Sequence, residues 1–192
     1  EKDHLQAISD PTDNLSAYEQ LLRHKNDFYN ISHNYDDVTN SIKIIDEIIE
    51  KDPEYADALS FQAGTLCMYY FYFASKYSSD EWHEMLSRAV NLAELAVSYD
   101  PENQLGLSLQ PIVLMMLNFV TESTSKRMLN TRKSLLALNQ LSNKYPENYL
   151  TKYAIGNYYN IKALLPMIAD ESDGEDALKN LTEACQIMKK KL

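Results

Sequence analysis

Glycine and proline are scarce in this chain of 192 residues, which contains only 4 glycines and 6 prolines. An all-β protein needs a turn about every eight to twelve residues, so this scarcity argues against one. Long hydrophobic runs are also missing. The most apolar run, residues 105–120, is 16 residues long, contains no charged residue and is interrupted by Pro111 and by polar side chains. That run is too short and too polar for a membrane span, so the sequence predicts helices and no transmembrane segment in this chain.

Basic residues are few relative to acidic ones. The chain has 18 Lys and Arg against 28 Asp and Glu, which gives a formal net charge of −10. An acidic protein repels phosphate backbones, so we expect no nucleic-acid partner. The remaining composition, 45% hydrophobic and 24% charged, is typical of a globular protein. The length suits one compact domain or one short repeat array.

Signatures of catalysis and metal binding are missing as well. Cys67 and Cys185 lie far apart without a CxxC or His-flanked spacing, so we interpret both as buried free thiols. No pair of histidines has the spacing of metal ligands. The sequence contains no GxSxG motif, phosphate-binding loop or dinucleotide-binding fingerprint. We therefore predict no catalytic residue, no metal and no cofactor, and a protein that is not an enzyme.

Apolar residues recur at helical spacing along most of the chain. After a loose lead-in over residues 1–13, the pattern predicts eight helices in four hairpins, with no strand. One helix is expected over about 104–122, where Pro111 should either kink it or mark its true start. The two sequences Ser78–Glu81 and Ser172–Glu175 predict capping boxes. The helix before Pro146 carries apolar residues at Met128, Leu135, Leu138 and Leu141. In the last helix, about 175–190, four residues are expected to face inward, namely Leu178, Leu181, Cys185 and Met188.

Helices that end at proline recur along the chain. They stop at Pro53, Pro101 and Pro146, at spacings of 48 and 45 residues, and similar sequences follow each proline: PEYADAL, PENQLGL and PENYLTK. Periods of this size indicate stacked helical hairpins. Small residues support this interpretation, since Ala89, Ala93 and Ala96 share one face of the helix before Pro101.

The chain resembles the tetratricopeptide repeat (TPR). The second unit carries Ala63 in its first helix and the Ala89, Ala93, Ala96 and Pro101 series in its second, and the fourth unit contains the sequence IGNYY at 155–159. In the third unit, Pro111 departs from the family pattern. The second unit, at 48 residues, is longer than the family unit of about 34, which predicts lengthened helices. The resemblance implies an all-α fold, a right-handed stack of about four antiparallel helical hairpins (a TPR-like α-solenoid). This single domain covers 14–192, with units at 14–53, 54–101, 102–146 and 147–192.

The resemblance also implies where a partner binds, because the first helix of each unit lines a concave face in this family. The expected function is a non-enzymatic interaction or scaffold module that holds a peptide or a partner helix there. The alternative is a bacterial cell-envelope component, periplasmic or lipoprotein, that binds a small apolar ligand, as in transporter-associated repeat proteins. The sequence leaves the compartment open. By position, the expected groove residues are Ser60, Gly64, Ser108, Ile112, Met115, Tyr153, Asn157 and Asn160.

Overall fold

The computed structural model describes residues 14–28, 34–166 and 168–190 of the chain. Within those ranges every regular element is helical and no strand occurs, so the predicted all-α class is confirmed. The expected lead-in over 1–13 lies outside the described residues. The helices are α1 (Leu15–Phe28), α2 (Tyr35–Lys51), α3 (Ala56–Phe73), α4 (Ser79–Tyr99), α5 (Gln104–Leu117), α6 (Thr124–Lys144), α7 (Tyr149–Ala163) and α8 (Asp173–Lys189), with a 3-10 turn at Ala74–Lys76 between α3 and α4.

Proline marks three of the helix ends, as the sequence predicted. α2, α4 and α6 each end two residues before a proline, namely Pro53, Pro101 and Pro146. The residue between is not helical, because proline disfavours helical geometry in the residue before it. The next helix follows each proline within three residues, and the two helices of the lengthened second unit have 18 and 21 residues. The three connections between helices therefore have the same length and the same position of proline.

Side-chain caps set several helix starts. At α4 the Ser78 hydroxyl accepts from the Glu81 amide, and the Glu81 carboxylate accepts from the Ser78 amide, so that predicted capping box is confirmed. The capping box predicted at Ser172 is wrong, since the Ser172 side chain makes no cap hydrogen bond. Instead the neighbouring Asp173, which is buried, accepts from the Asp170 amide at 2.5 Å.

Expectations for α5 and α8 are corrected. Pro111 does not mark the start of α5, because the helix begins at Gln104 and runs through the proline. In α8, Leu178 and Met188 do not face inward; they are 69% and 47% exposed. Cys185 is exposed as well, so of the two thiols expected to be buried only Cys67 is, because α8 is the last of the described helices and packs mainly on α7.

The apolar residues of α6 divide between two faces, and Met128 and Leu135 are 65% and 45% exposed. α6 buries another face, on which Leu138 and Leu141 are 5% and 1% exposed.

Each helix packs against the next one along the chain, and α3 also packs against α5, and α5 against α7. The largest core cluster lies among α3, α4, α5, α6 and α7. The small face of α4 is fully buried in it, with Ala89, Ala93 and Ala96 at 0% exposure. A Cβ on Gly106 would come within 3.2 Å of the Ala96 Cβ, so α4 and α5 approach closely beside their joint.

Two smaller clusters extend this core. One joins α1 and α2 to the start of α3, and its edge carries His24, whose Nε2 lies 2.7 Å from the Ser41 hydroxyl. The other surrounds Trp82, whose indole N–H donates to the Ala74 carbonyl at 2.8 Å. None of the helices over the described residues combines the length and apolar character needed to cross a bilayer.

Candidate binding groove

A groove of about 580 Å³ opens along the odd-numbered helices. Its walls come from α1, α3, α5 and α7, and no residue of an even-numbered helix lines it. The lining residues are Phe28, Phe61, Gly64, Thr65, Cys67, Met68, Phe71, Tyr72, Leu105, Leu109, Ile112, Tyr153 and Asn157.

The groove exists because α3 is apolar around most of its circumference. Its inward face, including Leu59 and Leu66, is buried in the core, so apolar side chains remain on the opposite face. α1 is fixed to α3 at one end of the groove. There the Phe28 and Phe61 rings pack edge to face at a centroid distance of 5.2 Å, and Lys25 pairs with Asp57 at 3.1 Å.

Gly64 has no side chain and so leaves space at the bottom of the groove. A Cβ at this position would meet only the Leu109 methyl groups, the nearest at 3.5 Å, which is ordinary contact. The rim is aromatic, because the side chains of Phe71, Tyr72 and Tyr153 are 54%, 58% and 45% exposed. An uncharged floor beneath exposed aromatic rings suits an apolar occupant.

No lining side chain carries a charge near neutral pH. The list of lining residues contains no Asp, Glu, Lys, Arg or His. Desolvation raises the pKa of the Cys67 thiol to about 12, so this thiol stays protonated. Desolvation also raises the pKa of the Tyr153 phenol, even though the side chain as a whole is nearly half exposed. A protonated thiol is a poor nucleophile, so Cys67 contributes contact surface to the groove.

Polar groups on the groove walls are mostly satisfied within their own helices. The Thr65 hydroxyl donates to the Phe61 carbonyl at 2.9 Å, and the Asn157 amide donates to the Tyr153 carbonyl at 2.9 Å. A bound molecule would therefore find few hydrogen-bond donors or acceptors on the groove walls that lack a partner. Binding here would depend on apolar area and shape more than on directed hydrogen bonds.

Four of the eight groove residues expected from sequence line it, namely Gly64, Ile112, Tyr153 and Asn157. Asn160 is exposed but is not part of the lining.

The other three expected groove residues are buried inside the fold. The hydroxyls of Ser60 and Ser108 donate to carbonyls of their own helices, of Asp57 at 3.1 Å and of Leu105 at 2.8 Å. Met115 is 0% exposed and belongs to the core. The reason is rotational, since the groove face of α5 carries Leu105, Leu109 and Ile112, and 100° per residue turns Ser108 and Met115 away from its centre.

Sequence reasoning missed much of the aromatic lining. Phe28, Phe61, Phe71 and Tyr72 line the groove but are not among the eight residues expected there. The sequence feature that could have indicated the three of these in α3 is that α3 is apolar on more faces than one contact with the core can bury.

No family model, curated protein or solved structure matches this chain. The groove is therefore interpreted from its own chemistry. Among the described residues, no group of three or more His, Cys, Asp or Glu side chains could hold a metal ion. A second, smaller depression of about 130 Å³ lies between the first turns of α6 and the segment after α7, beside Met128, Leu165 and Ile168.

Proposed function

We propose that this chain is a non-enzymatic TPR-like interaction module that holds an apolar peptide segment or partner helix in the groove of its odd-numbered helices. The supporting observation is that all four odd-numbered helices contribute to one groove, and that its lining is uncharged. The packing of α3 on α5 and of α5 on α7 is what a right-handed stack of helical hairpins requires.

The rim and floor favour a polypeptide occupant. Aromatic residues and methionine are enriched in protein interfaces, where they supply large contact areas. Phe71, Tyr72 and Tyr153 provide such residues around the opening. Met68 on the groove wall adds a flexible side chain that can adapt to different apolar partners.

The test begins with selection of peptides from a random library on the wild-type protein. Selected peptides should be rich in apolar residues at helical or alternating spacing. Replacing Phe71 and Tyr153 with Glu should weaken their binding about tenfold or more, because each change puts a charge beside an apolar occupant. The matched control is the pair Leu164→Glu and Leu178→Glu, which alters two exposed leucines away from the groove. Equal binding by the F71E/Y153E variant would show that the peptides bind elsewhere.

A second candidate is the binding of a small apolar ligand, as a component of a bacterial cell envelope would do. The groove volume favours it, since about 580 Å³ lies within the range of small-molecule sites, about 300 to 1,000 Å³. Native mass spectrometry of the purified protein should then show a retained ligand. Gly64→Phe, which fills the floor, should abolish that added mass. Retention of the mass by G64F, or no added mass in the wild type, would count against this candidate.

A further inference from the structure

The composition of α6 is opposite to that of the chain that surrounds it. Helix α6 carries Lys126, Arg127, Arg132, Lys133 and Lys144, which are five of the 18 basic residues in the chain, and none of the 28 acidic ones. No acidic residue occurs anywhere over 123–146. A protein with a net charge of −10 thus presents one helix of strongly positive charge.

The same helix exposes an unusual amount of apolar surface. Met128, Leu129, Leu135 and Leu136 are 65%, 54%, 45% and 56% exposed. At 100° per residue these four positions lie within about one third of the helix circumference, opposite the buried Ser134 and Leu138. Large apolar side chains clustered on an exposed face mark contact sites more often than chance exposure does.

Free cations lie within and beside this apolar strip. Arg132 projects from its middle, and Lys126 and Lys133 lie together along one edge of it, beside Leu129. All three are exposed, and none forms an ion pair with any residue that the structure describes. By contrast, Lys144 is paired with Glu102, and Arg127 donates to the Thr121 carbonyl. The face defined by Lys126, Met128, Leu129, Arg132, Lys133, Leu135 and Leu136 is called the α6 basic face below.

The charge at the start of α6 also works against helix stability. Its first turn contains Lys126 and no acidic residue. The amide groups at a helix N-terminus carry a partial positive charge, so cations there are unfavourable. α2, α4 and α8 all place acidic residues in this position. A local arrangement that costs stability is common where a surface serves binding.

We propose that the α6 basic face docks on an anionic lipid bilayer, with the helix lying parallel to the membrane plane. Met128, Leu129, Leu135 and Leu136 would enter the boundary between headgroups and acyl chains. Lys126, Arg132 and Lys133 would extend their charged ends to lipid phosphates, as long basic side chains do at interfaces. The face covers residues 126–136, which at about 1.5 Å per residue give a contact line about 15 Å long.

The residues of this face favour a lipid surface over an acidic protein. Protein interfaces are enriched in aromatic residues and depleted of lysine. α6 has no aromatic residue, although the chain has 14 tyrosines, and two of the three free cations on the face are lysines. Leucine, lysine and arginine are residue types that interfacial helices use to bind anionic lipids. The groove takes no residue from α6, so the two surfaces are separate.

The experiment measures flotation of the full chain with vesicles of phosphatidylcholine alone and of phosphatidylcholine with phosphatidylglycerol. Binding should occur only with the anionic vesicles and should weaken as salt screens the charges. The R132Q/K133Q variant should bind about 30-fold more weakly, since each cation near the surface contributes about fivefold. The L129Q/L136Q variant should lose at least about tenfold, because its apolar contact is removed.

Matched controls separate this surface from general effects of charge or hydrophobicity. K43Q/K179Q removes two exposed cations from other helices, and L164Q/L178Q removes two exposed leucines elsewhere. Both should bind as the wild type does, and circular dichroism should show every variant folded.

Three results would overturn the proposal. The first is equal flotation of the wild type and both α6 variants. The second is tight binding to poly-glutamate without flotation, which would assign the face to an acidic protein. The third is a dimer that the α6 variants dissociate, again without flotation, which would assign the face to a second copy of this chain.

Discussion

Gly156 is the position where a single methyl group should have the largest effect on stability. It lies in α7 against α8, and a Cβ placed on it would come within 2.6 Å of the Leu181 Cγ and 3.1 Å of the Leu181 backbone nitrogen. The contact with Cγ could be relieved by movement of the Leu181 side chain. The contact with the backbone requires α8 itself to shift, so Gly156→Ala should push these two closely packed helices apart.

Two opposing contributions set the magnitude. Alanine in place of glycine within a helix stabilises by about 1 kcal/mol. Overpacking of a tight contact costs about 1 to 3 kcal/mol. The backbone contact places this site toward the upper part of that range, so we expect a net loss of about 1 to 2 kcal/mol. For a chain of this length the melting temperature should fall by about 2 to 8 °C.

Gly64→Ala is the matched control, because it makes the same chemical change in another helix. Its added Cβ would approach Leu109 no closer than 3.5 Å, so only the helix-propensity gain remains. Thermal melts followed by circular dichroism should therefore move in opposite directions, down for G156A and up for G64A by about 2 to 4 °C. In the G156A/L181A double variant the two losses should be less than additive. A G156A protein that melts at or above the G64A protein would refute the close approach of α7 and α8.

Two further substitutions probe other parts of the fold. Ala93→Leu should destabilise by about 1 to 3 kcal/mol, because Ala93 is 0% exposed in the core, whereas Ala163→Leu at the exposed end of α7 should leave the melt unchanged. His24→Gln tests pH dependence: burial lowers the pKa of His24 from 6.5, so the unfolded chain takes up a proton first as the pH falls. The wild type should then lose stability relative to H24Q between about pH 7 and pH 5, and parallel melting curves across that range would contradict a buried neutral imidazole.

The sequence predicted the fold class and the helix ends well because these depend on local chemistry. Proline after α2, α4 and α6 and the Ser78–Glu81 capping box act through neighbouring atoms, and the structure contains each of them. The alanine face of α4 was also recognisable, because helix spacing places its members together.

The orientation of α6 could not be predicted for a physical reason. Its leucines occur on more than one face, and Leu135 and Leu136 are exposed while Leu138 and Leu141 are buried. Periodicity alone cannot tell which of these faces meets α5. The groove had the same difficulty, since a rotation of α5 by one residue exchanges Ser108 for Leu109.

The two cysteines differ in exposure, so their alkylation rates can report on opening of the groove. Cys185 is exposed, whereas Cys67 is buried beside the groove, and desolvation raises the pKa of its thiol to about 12. A buried, protonated thiol reacts slowly, so an alkylating reagent should modify Cys185 first. Any later reaction at Cys67 requires the groove wall to open. The rate ratio of the two alkylations, followed by intact mass, therefore measures the free energy of that opening without any engineered probe.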